Sequence, residues 1–274
     1  MPNTPPPWAN DAGRHLSASD PIFARIVEQV GPVQIAARPA RFEALVRAII
    51  FQQLAGAAAT TIFNRFVKQI GGGRFPTPAR VLAATDEEMR ACGLSRGKTL
   101  YLRDLAAHVR DRRLNFHRFS GMEDEEIIID LTRVKGIGRW TAEMFLMFNL
   151  HRPDVMPGGD LGLRNALAKA YGMDKPPGPK EIVAFAERWR PYRTAAAWYL
   201  WQSLRTITPE ATAASKAPAK NDASAPVKRK ALAKIKLVSK SKDAKSRLAT
   251  AKLVQKVKSV KTGSRKPKNS MRPA

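Results

Sequence analysis

The chain holds a single cysteine, Cys92, among 274 residues. A lone thiol forms no disulfide within the chain, and no four-cysteine zinc or iron–sulfur centre. Long apolar runs are also lacking: stretches such as Ile127–Ile129 and Met144–Phe148 are short and bounded by charge. A membrane helix needs about 20 predominantly apolar residues, so no membrane partner is expected. The first ten residues are proline-rich and lack the apolar segment of a secretory leader. Together these absences point to a reducing cytoplasm. Acidic residues are scarce, 23 against 48 Lys and Arg, for a formal charge of +25.

That charge is concentrated at one end. Residues 210–274 hold 19 Lys and Arg but 3 Asp and Glu, and no Phe, Trp or Tyr. Such a segment buries too little to offset chain entropy, so residues 209–274 are expected to form a disordered Lys-rich tail. A dense polycation binds a polyanion by releasing counterions. Duplex DNA is the expected partner, which would associate the chain with the nucleoid. A solubilising tail, or one that grips RNA, remains an alternative on charge alone.

Ahead of the tail the pattern is helical throughout. Residues 1–16 read as a flexible arm with four prolines, followed by a helical body over 17–208. Asp20 can cap a helix whose first position is Pro21. A helical segment from about 39 to 70 follows, its Phe42, Leu45, Val46, Ile49 and Ile50 spaced by three and four. Thr77-Pro78 and Thr85 with Glu88 start two short helices. Residues 97–112, 123–133, 140–148, 160–171, 179–189 and 194–205 give six more. No segment alternates with period two. The expectation is a compact, two-lobed, all-α body of nine or ten helices.

Two segments carry candidate chemistry. In the first, 131–143, a helix ends, Gly136-Ile137-Gly138 turns, and another helix begins. Glycines let the backbone approach another molecule, and the turn's N–H groups with the following helix N-terminus suit a phosphate. An ordinary turn is the alternative. In the second, Pro157-Gly-Gly-Asp160 opens a helix, where the aspartate is either an N-cap or a reactive carboxylate. Trp140 and Trp201 are available to wall a pocket beside it. Trp189, Trp198 and Tyr199 read as core. No histidine has ligand spacing.

The hairpin Val134-Lys-Gly-Ile-Gly-Arg-Trp-Thr-Ala142, followed by Asp160 in a Gly/Pro-rich loop, resembles the helix–hairpin–helix, Gly/Pro–Asp superfamily of DNA glycosylases. Within it the chain is most similar to the 3-methyladenine glycosylase II branch. Further matches are Arg47-Ala-Ile-Ile-Phe-Gln-Gln53, Gly93-Leu-Ser-Arg-Gly-Lys98 with Tyr101-Leu102, and Arg188-Trp-Arg-Pro-Tyr-Arg193 through Trp201. The resemblance spans roughly 20–206.

The resemblance implies a monomeric enzyme, with no cofactor, that excises alkylated bases from duplex DNA during base excision repair. Asp160 stands where the family has its essential carboxylate. Trp140 stands where bifunctional members carry a nucleophilic lysine, which implies base release without lyase chemistry. Trp140, Trp201 and Met144 would contact the substrate base. Gln53, with Leu54, would wedge into the gap left by the flipped nucleotide. Lys135, Gly136, Gly138, Arg139 and Thr141 would contact DNA. The carbonyls of Thr132, Val134 and Ile137 could hold the monovalent cation found in some relatives. Gly159 replaces a second acidic residue of some members, and Met144 and Leu161 replace aromatic ones. Rival expectations are the same fold acting on oxidised or mismatched bases, and a DNA-binding protein without catalysis.

Overall fold

Asp20 does what its sequence context predicts. In the computed structural model, which describes residues 5–36 and 41–206, its carboxylate accepts the Ile22 amide at 3.0 Å and caps a helix beginning at Pro21. The described residues form twelve α-helices and two short 3₁₀ turns, with no strand among them. In chain order these are α1 (Ala9–Ser19), α2 (Pro21–Val30), α3 (Phe42–Phe51), α4 (Gly56–Gly71), α5 (Pro78–Ala83) and α6 (Asp86–Ala91). Then come α7 (Arg96–Arg110), α8 (Asp124–Thr132), α9 (Arg139–Phe148), α10 (Leu161–Ala170), α11 (Pro179–Phe185) and α12 (Arg193–Thr206). None is long and apolar enough to cross a membrane. The basic tail expected over 209–274 lies outside the described residues.

Two expectations need correction. The proline-rich arm is partly helix: α1 occupies 9–19, with Ala9, Ala12 and Leu16 buried. Trp8 anchors it by donating its indole N–H to the His151 carbonyl at 2.7 Å. The segment expected to run from 39 to 70 is two helices, separated by an exposed loop around Gln53. Gln53 sits in the left-handed region with φ 56°. Local propensity did not foretell either feature; tertiary contacts impose both.

The helices fall into two packed groups. Helices α3 to α7 associate with one another, while α1, α2, α10 and α12 form a second group. An aromatic cluster fills each. Phe42, Phe63 and Phe66 surround Phe75 in the first. Phe23, Trp189 and Tyr199 meet edge to face in the second. As read from the sequence, Trp189, Trp198 and Tyr199 are core. Helix α9 pairs with α8 and rests on α3 of the first group. Its Trp140 and Phe148 side chains reach Asp160 and Trp201 at the second, so α9 bridges the two groups.

The segment linking α9 to α10 is firmly held. Arg152 donates to the carbonyls of Phe119 and Met122 at 2.7 and 2.8 Å. Thr194 accepts the Val155 amide at 3.0 Å and donates to the Arg152 carbonyl at 2.6 Å. Gly158 lies where a side chain would strike the Pro179 carbonyl, 2.6 Å from an added Cβ. These contacts deliver Asp160, two residues on, to a fixed place.

Candidate active site

Asp160 is the N-cap of α10, and its carboxylate has three N–H donors. Oδ1 accepts the Leu163 amide at 2.6 Å and the Trp201 indole N–H at 3.2 Å. Oδ2 accepts the Trp140 indole N–H at 2.8 Å. The two readings of this residue are therefore compatible: it caps the helix and also presents a partly exposed carboxylate. The tryptophans come from different elements, α9 and α12, and meet on one acid. Gly162 leaves room for this, since an added Cβ there would lie 3.2 Å from Asp160 Oδ1. Trp140 is 48% exposed and Leu161, next to the acid, 59%.

Beside the carboxylate runs an aromatic wall. Trp201 stacks on Phe148 with ring centroids 6.2 Å apart. Phe148 and Met144 line a cavity of about 470 Å³ between α9 and α3, opposite Phe51, Arg47 and Glu43. The Arg47 guanidinium lies 4.1 Å from the Phe51 ring centroid, covering one face of it. Sequence reasoning placed Met144 here but missed Phe51, Phe148 and Arg47. Arg47 and Phe51 stood in a matching stretch but with no role given them, and Phe148 had only helical spacing, which equally describes core.

A second cavity, about 690 Å³, adjoins Trp140 and is lined by Glu125, Glu143 and Arg139. Arg139, an expected DNA contact, is ion-paired here. The Arg139 guanidinium binds both oxygens of Glu125, at 2.7 and 2.8 Å, and Glu143 at 3.0 Å. It braces α8 against α9 while its side chain stays 57% exposed. Burial raises the Glu143 carboxyl above its ordinary range, with Arg139 pulling the other way. Thr141, one turn into α9, is buried and lines the aromatic cavity.

The hairpin itself is pinned from α7. The Lys135 amide donates to Asp104 at 2.8 Å, while its side chain is exposed. Gly136 adopts φ 82° and lies against the Tyr101 ring. Gly138 caps α9 without a side-chain bond, so its first-turn amides look to other partners. The Val134 carbonyl accepts the Ile137 amide at 3.1 Å. Gln53 and Leu54 are both exposed on their loop.

Comparison with known proteins bears on this arrangement. The model of the HhH-GPD superfamily base excision DNA repair protein matches residues 46–191. DNA-3-methyladenine glycosylase 1 of Schizosaccharomyces pombe is 40% identical over 195 residues, covering 70% of this chain and 86% of the relative. The solved structure of the Schizosaccharomyces pombe 3-methyladenine DNA glycosylase in complex with abasic DNA matches with TM-score 0.62 and 39% identity, over 71% of this chain and 97% of that one. A DNA-3-methyladenine glycosidase from Bacillus halodurans matches with TM-score 0.67 and 37% identity, over 73% and 92%. The chain belongs to the HhH-GPD superfamily of base excision DNA repair proteins.

Proposed function

We propose that this chain is a monofunctional DNA glycosylase of the 3-methyladenine II type, releasing N-alkylated bases from duplex DNA on the chromosome. One observation carries the reading: Asp160 holds a partly exposed carboxylate, fixed by three N–H donors, beside an aromatic cavity and a hairpin suited to phosphate. The names of the relatives support excision of the 3-methyladenine kind.

The chemistry follows from the charges. As the N-glycosidic bond breaks, the base leaves with the electron pair and positive charge builds on the sugar. A carboxylate already fixed in orientation stabilises that charge without reorganising. Water then adds at the sugar carbon. An N-alkylated purine is itself cationic, so it departs without a strong general acid. The base must first leave the stack, at a cost of a few kcal/mol. Gln53 and Leu54, exposed on the α3–α4 loop, would fill the gap. Lys135 and the amides around Gly136 and Gly138 would grip the backbone. Indole and phenyl faces favour a cationic base by about 0.5–2 kcal/mol each. That modest bias suits a broad range of alkylated bases.

The test is to incubate the chain with methylated duplex DNA and chromatograph what is released. Free 3-methyladenine and other N-alkylated purines are expected. Borohydride should trap no covalent adduct on the helical body, because Trp140 replaces the lysine a Schiff base needs. Retention of every methylated base in DNA would remove the reading; an adduct on the body would change its class.

The tail gives a second expectation. Residues 210–274 carry +16 of the +25 formal charge. Removing them should leave single-turnover release at saturating enzyme unchanged. DNA affinity should fall, and the log–log salt dependence should flatten by about 0.9 for every phosphate the tail no longer neutralises. A truncated chain with the full-length salt slope would show that the tail does not grip DNA.

A further inference from the structure

Helix α7 carries a row of three residues, Lys98, Tyr101 and Asp104, spaced by three. Such residues share a helix face. All three engage two loops that belong to other elements. Asp104 accepts the Lys135 amide and Tyr101 packs on Gly136, so two of them hold the hairpin. Lys98 reaches the other loop. Its ammonium donates to the carbonyls of Ile50 and Gln52, at 2.6 and 2.8 Å. Those carbonyls lie at the C-terminal end of α3, where helix oxygens lack internal partners and a cation is favoured. Burial lowers the Lys98 pKa below its ordinary value, so this amine sits partly out of water.

The two loops are also joined directly. The Gln52 side-chain amide donates to the Gly136 carbonyl at 2.9 Å. Lys98, Gln52 and Gly136 thus form one chain of bonds, from α7 through the end of α3 to the crown of the hairpin. The next residue, Gln53, is non-glycine at φ 56°. That conformation is uncommon for a residue with a Cβ and persists where the surroundings over-determine it. Lys98 and Gln52 are the neighbours that do so.

Resting on the glycosylase reading above, we propose that Lys98 is a positioning residue for base extrusion. Through the Ile50 and Gln52 carbonyls it holds the Gln53 loop in register with the hairpin. Gripping the phosphate backbone and wedging the base stack then happen on one rigid frame. Lys98 need not touch the reacting atoms. Its loss should slow the step in which the base leaves the stack, and leave backbone binding alone.

The test uses the full-length chain with Lys98→Met, Lys98→Arg and Gln52→Leu. Single-turnover release at saturating enzyme is measured on two duplexes, with the alkylated base paired in one and mispaired in the other. Extrusion costs least where pairing is already broken. Lys98→Met should lose about tenfold or more on the paired duplex and clearly less on the mispaired one. Fluorescence of 2-aminopurine beside the lesion should lose its extrusion signal in parallel. Lys98→Arg, which keeps donors for both carbonyls, should recover most of the rate. Gln52→Leu, which breaks the loop-to-hairpin bond, should repeat the pattern of Lys98→Met. The salt dependence of duplex binding should not move.

An equal loss on both duplexes, or no loss on either, would overturn the positioning role. So would a salt slope reduced by about 0.9, which marks a direct phosphate contact. If the wild-type chain releases base and Lys98→Met matches it, the inference alone fails. If the wild type releases none, the glycosylase reading fails. The fluorescence signal, which needs extrusion but no bond cleavage, then still decides the role of Lys98.

Discussion

Asp160→Asn is expected to lower base release by about 10²–10³-fold or more, the scale on which a lost electrostatic group acts in a preorganised site. The substitution removes the charge and keeps the shape. Asparagine caps helices as well as aspartate does, so its side-chain oxygen can still accept the Leu163 amide that Asp160 holds at 2.6 Å. On the other side its NH₂ group would face the Trp140 indole N–H, now 2.8 Å from a carboxylate oxygen. Two donors would meet there, and the indole would lose its partner. Trp140 is 48% exposed, so water can take its N–H, and folding should be nearly unaffected, as should duplex binding. Single-turnover release beside a thermal melt and a binding titration checks this. Asp160→Ala is the poorer probe, since it also loses the cap, typically about 1 kcal/mol. Wild-type turnover in Asp160→Asn would remove the carboxylate from the mechanism.

The sequence singled out Asp160 but not its company. Spacing and resemblance put Trp140 and Trp201 at the site as aromatic walls. Neither could show that both indole N–H groups converge on one carboxylate, because that depends on how α9 and α12 approach α10. Arg139 is the reverse case. Its partner Glu143 stands four residues on, a spacing that pairs charges on a helix. That signal was present in the sequence, yet beside a glycine turn the arginine reads more naturally as a phosphate contact.

Helix ends written in local chemistry were legible. The caps at Thr77 and Thr85 form as read, Thr85 within a full capping box with Glu88. What escaped is set by contacts between distant segments. Helix α1 lacks a side-chain cap and contains Gly13, so its own sequence argues against it. It exists because Ala12 and Leu16, four apart, bury completely, and Gly13 lets it approach Tyr199, whose hydroxyl is 3.2 Å from an added Cβ. The break between α3 and α4 centres on Gln52 and Gln53, neither of them glycine or proline. The bonds that Gln52 makes to Lys98 and Gly136 shape it, and those partners lie 46 and 84 residues away in sequence.

The same frame makes Gly136→Ala the most damaging small substitution expected on the hairpin. Gly136 has φ 82°, where the Cβ of an alanine costs about 1–2 kcal/mol. That Cβ would also lie 2.3 Å from Tyr101 Cδ2 and 2.4 Å from Cγ, far inside van der Waals distance. Moving a packed side chain aside adds about 1–3 kcal/mol. The two effects should lower the melting temperature, by about 2–4 °C for each kcal/mol in a body of this size. A double-mutant cycle separates them. With Tyr101→Ala the ring is gone, and adding Gly136→Ala should then cost only the backbone part. The difference between the two backgrounds is the clash with the ring itself. Equal cost in both would show that Tyr101 does not hold the turn. Because the Gly136 carbonyl also accepts from Gln52, a displaced hairpin should carry the Gln53 loop with it. Base release should therefore fall by more than DNA binding does, even at temperatures where Gly136→Ala is fully folded.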